Sequence, residues 1–235
     1  MLVPSVKPTR RMVLNKGTYA FALNVDGSCC FVILMDQATA DAAMFPPTPT
    51  DTTTVIGAAE NAGDITTKDI SIFLFYNVLQ IDSNGFLFTG YHAWDFEPAD
   101  TKIGKDKYYV MAWVNWIDTI QDVSTLSHEL AEIVNDPFPS IDAAFDVDEI
   151  HNITPWFLAP NGFCADRIEV GDGIELLPNS AYPVTMNEMI YHLQNITLIP
   201  WFKREAPSSA LHNAYSFPNE NVITALSPPQ RVNCQ

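Results

Sequence analysis

Along most of this chain apolar residues come in short runs broken by Pro, Gly, Asn and Asp. Across Asp122 to Asp136 they instead fall at Val123, Leu126, Leu130, Ile133 and Val134. That is the spacing of one amphipathic helix, with Asp122 or Ser124 placed to cap its start and Pro137 to stop it. Ahead of it, Thr18 to Leu23 and Cys29 to Met35 read as strands joined around Asp26-Gly27-Ser28. Ile70 to Ile81 reads as a buried strand, and Phe86 to Trp94 as its partner after the turn Asp82-Ser83-Asn84-Gly85. Lys107 to Trp116 is a further strand, and Ala38 to Asp69 a long surface excursion with a short helix near Ala38 to Met44. Beyond Pro137 the chain reads as irregular with short helices, Thr185 to Gln194 among them. Strands followed by a helix predict an α+β fold, a mixed or antiparallel sheet packed on that helix with a loop-rich C-terminal part. The 235 residues fit one domain: a strand-rich part over about 15–116, the helix over 122–136, and the remainder over 137–235.

The helix carries its chemistry on one side. At about 100° per residue, Glu132 lies about 40° from His128, Asn135 about 20° the other way, Asp136 about 80° and Glu129 about 100° away. Residues at i and i+4 stack along a helix, so His128 and Glu132 can reach one cation, and Glu129 the water that cation activates. This is the logic of the His-Glu-x-x-His helix of zinc peptidases with Glu132 in place of the second His. A Glu ligand keeps zinc chemistry possible and relaxes the preference toward harder ions such as calcium. The same spacing also suits an ordinary solvated face. A catalytic zinc has three protein ligands, so a third would come from beyond the helix.

Charge narrows the partners. The net charge of −16 opposes binding to nucleic-acid phosphates and anionic lipid surfaces. No run of about 20 apolar residues predicts a membrane span, and Met1 to Lys16 lacks the apolar core of a signal peptide. No Gly-x-Ser-x-Gly elbow, phosphate-binding glycine loop or dinucleotide fingerprint occurs, which argues against serine hydrolysis, nucleotide binding and dinucleotide redox chemistry.

Ser127-His128-Glu129-Leu130-Ala131-Glu132, followed by Asn135-Asp136-Pro137, resembles the signature of exordium-like (phosphate-induced) plant proteins and their bacterial and fungal relatives. Trp156-Phe157, Glu169-Val170-Gly171-Asp172, Gly90-Tyr91-His92 and Tyr108-Tyr109-Val110 resemble further stretches of that family, so the likeness runs over about 86–172. It implies a zincin-like, metal-binding protein of the secreted, extracellular kind. On that reading His128 and Glu132 are metal ligands, Glu129 is the general base and Asp172 the third ligand, with Glu169, three residues before it, as the alternative. The family's Cys shortly after Gly-Asp is absent here, where Gly173-Ile174-Glu175 follows and Cys164 precedes.

Two functions follow as expectations. One is a zinc-dependent hydrolase of peptidase type acting on a peptide or protein substrate, with Lys107 to Val114 as a sheet edge for an extended peptide. The other is a non-catalytic extracellular or cell-wall module with a structural cation. His92 is either a core histidine bonded to backbone or a catalytic group that polarises the carbonyl or completes the site. Asp142, Asp146, Asp148 and Glu149, followed by His151, read as a solvated or calcium-binding loop. His192 and His212 lack a sequence-near acidic partner and read as structural. The five Trp form core or a sugar-stacking platform. Asn152-Ile-Thr154 and Asn195-Ile-Thr197 are glycosylation sequons. A disulfide from Cys29 or Cys30 to Cys164 or Cys234, or buried free thiols, both fit the four cysteines.

Overall fold

A computed structural model describes residues 3–99, 106–117, 123–139, 153–158, 164–167 and 169–226. Chain order is β1 (Tyr19–Ala22), β2 (Val32–Asp36), α1 (Gln37–Met44), α2 (Val55–Asn61), β3 (Ile70–Tyr76), β4 (Val78–Ile81), β5 (Leu87–Phe88), β6 (Gly90–Glu97), β7 (Lys107–Trp116) and α3 (Ser124–Asn135). Then come β8 (Ile153–Leu158), β9 (Cys164–Arg167), β10 (Ala181–Met186), β11 (Met189–Gln194), β12 (Ile196–Thr197), α4 (Ile199–Phe202) and β13 (Ser216–Phe217). The class is α+β with mixed sheets, as expected.

One sheet, ordered β3-β7-β6, positions everything that follows; β7 is parallel to β3 and antiparallel to β6. Its two faces are covered by different helices. Tyr109, Met111 and Trp113 point to α1 and α2, where Ala40, Met44, Val55, Ile56 and Ala59 close the core. The alternate residues Val110, Ala112 and Val114 meet Leu126 and Ile133 of α3. A strand covered on both faces needs an unbroken apolar run, and Tyr-Val-Met-Ala-Trp-Val supplies it. A second sheet, β1-β2-β4-β5, continues from the first through Asn77, whose φ of 51° turns the chain between β3 and β4. Asn77 donates from its backbone N–H to Trp116 O, and the Asn115 side chain accepts from Val78 N–H.

Several expectations change. Ile70 to Ile81 is two strands in two sheets, because Asn77 breaks it. Phe86 to Trp94 likewise divides, β5 pairing with β4 and β6 with β7. Within 38–69 a second helix, α2, follows α1 and is capped by the Thr54 side chain accepting from Gly57 N–H. Thr185 to Gln194 is no helix. Met186, Met189, Ile190 and Leu193 do fall at helical spacing, but Asn187 and Glu188 both take positive φ and reverse the chain into the β10–β11 hairpin. Lys107 to Val114 is not a sheet edge: β7 is bonded on both sides. The Cys29 sulfur is bonded to that of Cys30, so neither bridges to a distant cysteine. His212 does have an acidic partner, Glu220, at 2.8 Å. Asn195 is fully buried, with Nδ2 donating to Asn179 O and Ser180 O, which closes that sequon to a glycan. Trp113 and Trp201 are core residues. The acidic stretch over 142–149, His151 and the 152–154 sequon lie outside the described residues. Among the described residues no helix is long and apolar enough to cross a membrane.

Candidate metal centre

The amphipathic pattern of α3 holds, and the polar face is covered as well as the apolar one, on which Leu126 and Ile133 pack against β7. The most exposed apolar residue of the helix is Val134, while His128, Glu129 and Glu132 are all less than a tenth exposed. The polar face is covered by β6 on one side and by β11 and residues 169–172 on the other. Among the described residues no side chain caps the helix: Val123 occupies the cap position, Ser124 is already helical, and Asp122 lies outside the described residues. Pro137 follows the end of the helix at Asp136, as expected.

On this buried face two donor groups converge, each with its ligand atoms within 4.8 Å of one another. The first is His128, Glu132 and Asp172; the second is His92, Glu129 and Glu132. His128 Nε2 lies 3.2 Å from Glu132 Oε1 and 3.4 Å from Asp172 Oδ1. His92 Nδ1 lies 3.3 Å from both Glu129 Oε2 and Glu132 Oε2. Glu169 lines the same cavity but stands outside both groups.

These spacings decide what the groups suit. Charge-assisted N–H···O bonds close to about 2.7–2.9 Å, and the ion pairs His212–Glu220 and Lys107–Glu97 do so at 2.8 and 2.6 Å. Two donors each about 2.0–2.1 Å from a tetrahedral zinc ion lie about 3.3–3.4 Å apart. The four contacts on α3 match the second separation. Imidazole plus carboxylate, with no thiolate, is also the donor set of borderline divalent ions. The residues therefore fit such an ion.

Small residues make the approach possible. A Cβ on Gly171 would stand 2.5–2.7 Å from the His128 ring, and one on Gly90 would stand 2.9 Å from Glu129 Oε1 and 2.5 Å from Thr125 Cγ2. Gly171 and Asp172 donate their backbone N–H groups to Glu132 Oε1 at 3.0 and 3.2 Å, which fixes that carboxylate. Gln194, from the hairpin, lies with Nε2 2.9 Å from His128 Nδ1 and donates to Gly171 O at 2.8 Å. Its backbone N–H donates to Ser127 Oγ. The Gln194 amide thus faces the ring nitrogen of His128 that points away from the carboxylates, and His92 Nε2 donates to Asp136 O at 2.9 Å. Of these, Gln194 is invisible to sequence reasoning, since it enters from a segment 66 residues away.

In the protein alone, protons balance the cluster's charge. Burial opposes the charge on His92, but Glu129 and Glu132 outweigh it and lift its pKa to about 10. Burial likewise opposes the His128 charge, and Glu132, Asp172 and Glu129 raise its pKa well above the ordinary value. Glu132, despite burial, is held far below the usual carboxylate range by His128 and His92. Burial raises Glu129 and Glu175.

The cluster lies on a cavity of about 1010 Å³. Gly90, Tyr91, His92, Ala93 and Trp94 all line it. Side chains alternate across a strand, so five consecutive lining residues mean that the cavity runs along an edge. That edge belongs to β6, which is hydrogen-bonded only to β7 among the described residues. Phe86, Phe88 and Trp94 give it apolar walls.

Compared with known proteins, the chain matches no family model, no curated sequence and no solved structure.

Proposed function

We propose that this protein is a metal-dependent, zincin-like hydrolase of peptidase type. The observation that carries the reading is the convergence of His128 Nε2, Glu132 Oε1 and Asp172 Oδ1 at tetrahedral-edge spacings beside a strand edge open to a long cavity. His128, Glu132 and Asp172 would hold the ion, zinc by their donor chemistry. Such an ion, when bound, polarises a peptide carbonyl and makes water nucleophilic near neutral pH. Glu129, a member of the His92 group next to the His128 group and with its carboxyl raised by burial, takes the proton from the attacking water and delivers it to the leaving amine. The β6 edge receives an extended peptide by backbone hydrogen bonding, with the aromatic walls taking its side chains. The resemblance of Ser127–Glu132 to the exordium-like signature supports the same ligand set.

The test is Glu129→Gln against the unaltered protein on fluorescent casein, with elemental analysis of both. Turnover is expected to fall by about 10²–10⁴-fold while at least one ion per chain is retained. Cleavage that persists in the variant removes Glu129 from the mechanism. A second reading is favoured by Glu132, whose Oε1 ties two backbone N–H groups of the Gly171–Asp172 loop to α3. On it the ion is structural and the protein an extracellular interaction module: chelation lowers the melting temperature and no substrate is ever cut.

A further inference from the structure

We propose that the centre holds two divalent ions, the second between His92 Nδ1, Glu129 Oε2 and Glu132 Oε2, with Glu132 bridging the pair. The inference rests on the functional reading above for its first ion and extends it. Four observations carry it.

The two His92 contacts measure 3.3 Å each, the same tetrahedral-edge spacing as the His128 group, while the histidine ion pair elsewhere in the molecule closes to 2.8 Å. The His92 ring is also set for ligation. Nε2 donates to the Asp136 carbonyl, a backbone second partner of the kind that orients metal-binding histidines. Nδ1 then faces two carboxylate oxygens at 3.3 Å, with a proton there that a divalent cation would displace. Glu132 is shaped as a bridge: Oε1 belongs to the His128 group and is pinned by Gly171 and Asp172 N–H, which turns Oε2 toward His92. Finally, the lining is strongly acidic. Glu129, Glu132, Asp172, Glu175 and Glu169 all line the cavity, and among the described residues neither Lys nor Arg does. Glu129 and Glu132, the two buried among them, need a compensating positive charge.

Glu129 gives Oε2 to this second group and keeps Oε1, on the Gly90 side, for the proton. The imidazole and absence of thiolate select a borderline transition ion over calcium or Cu(I).

The experiment is equilibrium dialysis of the full chain, stripped with chelator, against Zn²⁺, with elemental analysis. Two ions per chain are expected, falling to one in His92→Ala and to one in His128→Ala. One ion per chain in the unaltered protein, lost in His128→Ala and kept in His92→Ala, overturns the second site and leaves the proposed hydrolase standing. No bound zinc overturns both. Two ions retained in His92→Ala place the second elsewhere and also overturn it. Should the alanine variants fail to fold, Co²⁺ loading of the unaltered protein decides alone. The electron paramagnetic signal per cobalt falls between one and two equivalents if the ions are neighbours, and stays constant if they are not.

Discussion

Two glycines set how closely the donors can crowd. The His128 ring lies against Gly171 where any Cβ would stand 2.5–2.7 Å from it, and contacts below 3.0 Å force a shift. Gly171→Ala is therefore expected to swing the imidazole off the Glu132–Asp172 pair and weaken zinc binding by at least about 10-fold, the scale for disturbing a ligand's support. Competition with a chromophoric chelator reads it. Gly173→Ala is the control: its Cβ meets Thr197 Oγ1 at 2.6 Å, away from the donors. It should lower the melting temperature and leave zinc affinity unchanged. Equal losses of affinity in both variants would mean that the loop as a whole, and not the ring contact, holds the site. That His128 and Glu132 share a face was legible from helical spacing, because an i, i+4 pair must; that this face is covered and not solvated was not. Asp172 was legible only through its family resemblance. The reason for the glycine before it emerges only once the imidazole is seen lying on the backbone.

Helix α3 is an element held from two sides, by β6 through His92 and by β11 through Gln194. Its existence and its Pro137 stop were plain in the sequence. Which face was buried was not, because the partners that cover the polar face are His92 from a strand before the helix and Gln194 from a hairpin after it. The hairpin itself was hidden by Met186, Met189, Ile190 and Leu193. Their helical spacing carries no core, since three of the four are more than half exposed. The hairpin's contribution can be separated into support of the imidazole and support of the helix. Gln194→Leu removes the polar partner of His128 Nδ1 and is expected to weaken zinc binding about 10–100-fold. Ser127→Ala removes the acceptor of the Gln194 backbone N–H and the donor to Ser124 O, and leaves the Gln194 side chain in place. It should cost about 1 kcal/mol of stability in denaturant melts with affinity intact. An unchanged affinity in Gln194→Leu would show that the hairpin supports the helix alone.

For the whole molecule, the acidic surplus is concentrated in more than one place. Beyond the donor cluster, Glu60 of α2 meets Asp95 and Glu97 of β6. Burial, then those two charges, and a hydrogen bond with Asp95 raise the Glu60 carboxyl to about 7. The sequence showed the net charge of −16 but not this pairing, since α2 fell inside a stretch read as surface excursion. The consequence has a definite sign. In the unfolded chain Glu60 ionises near 4.5, its ordinary value, and in the folded protein near 7. Between those values the folded state binds the extra proton, so stability is present below about pH 4.5 and is lost as pH rises through 7. Glu60 is only half-buried, and solvent screening reduces the effect to about 1 kcal/mol, or about 2–4 °C in a chain of this size. Glu60→Gln keeps the donor toward Asp95 without the charge. Its melting temperature should match that of the unaltered protein at pH 5 and exceed it by about 2–4 °C at pH 8. A gap of the same size at both pH values would assign the difference to packing and remove the proton from the account.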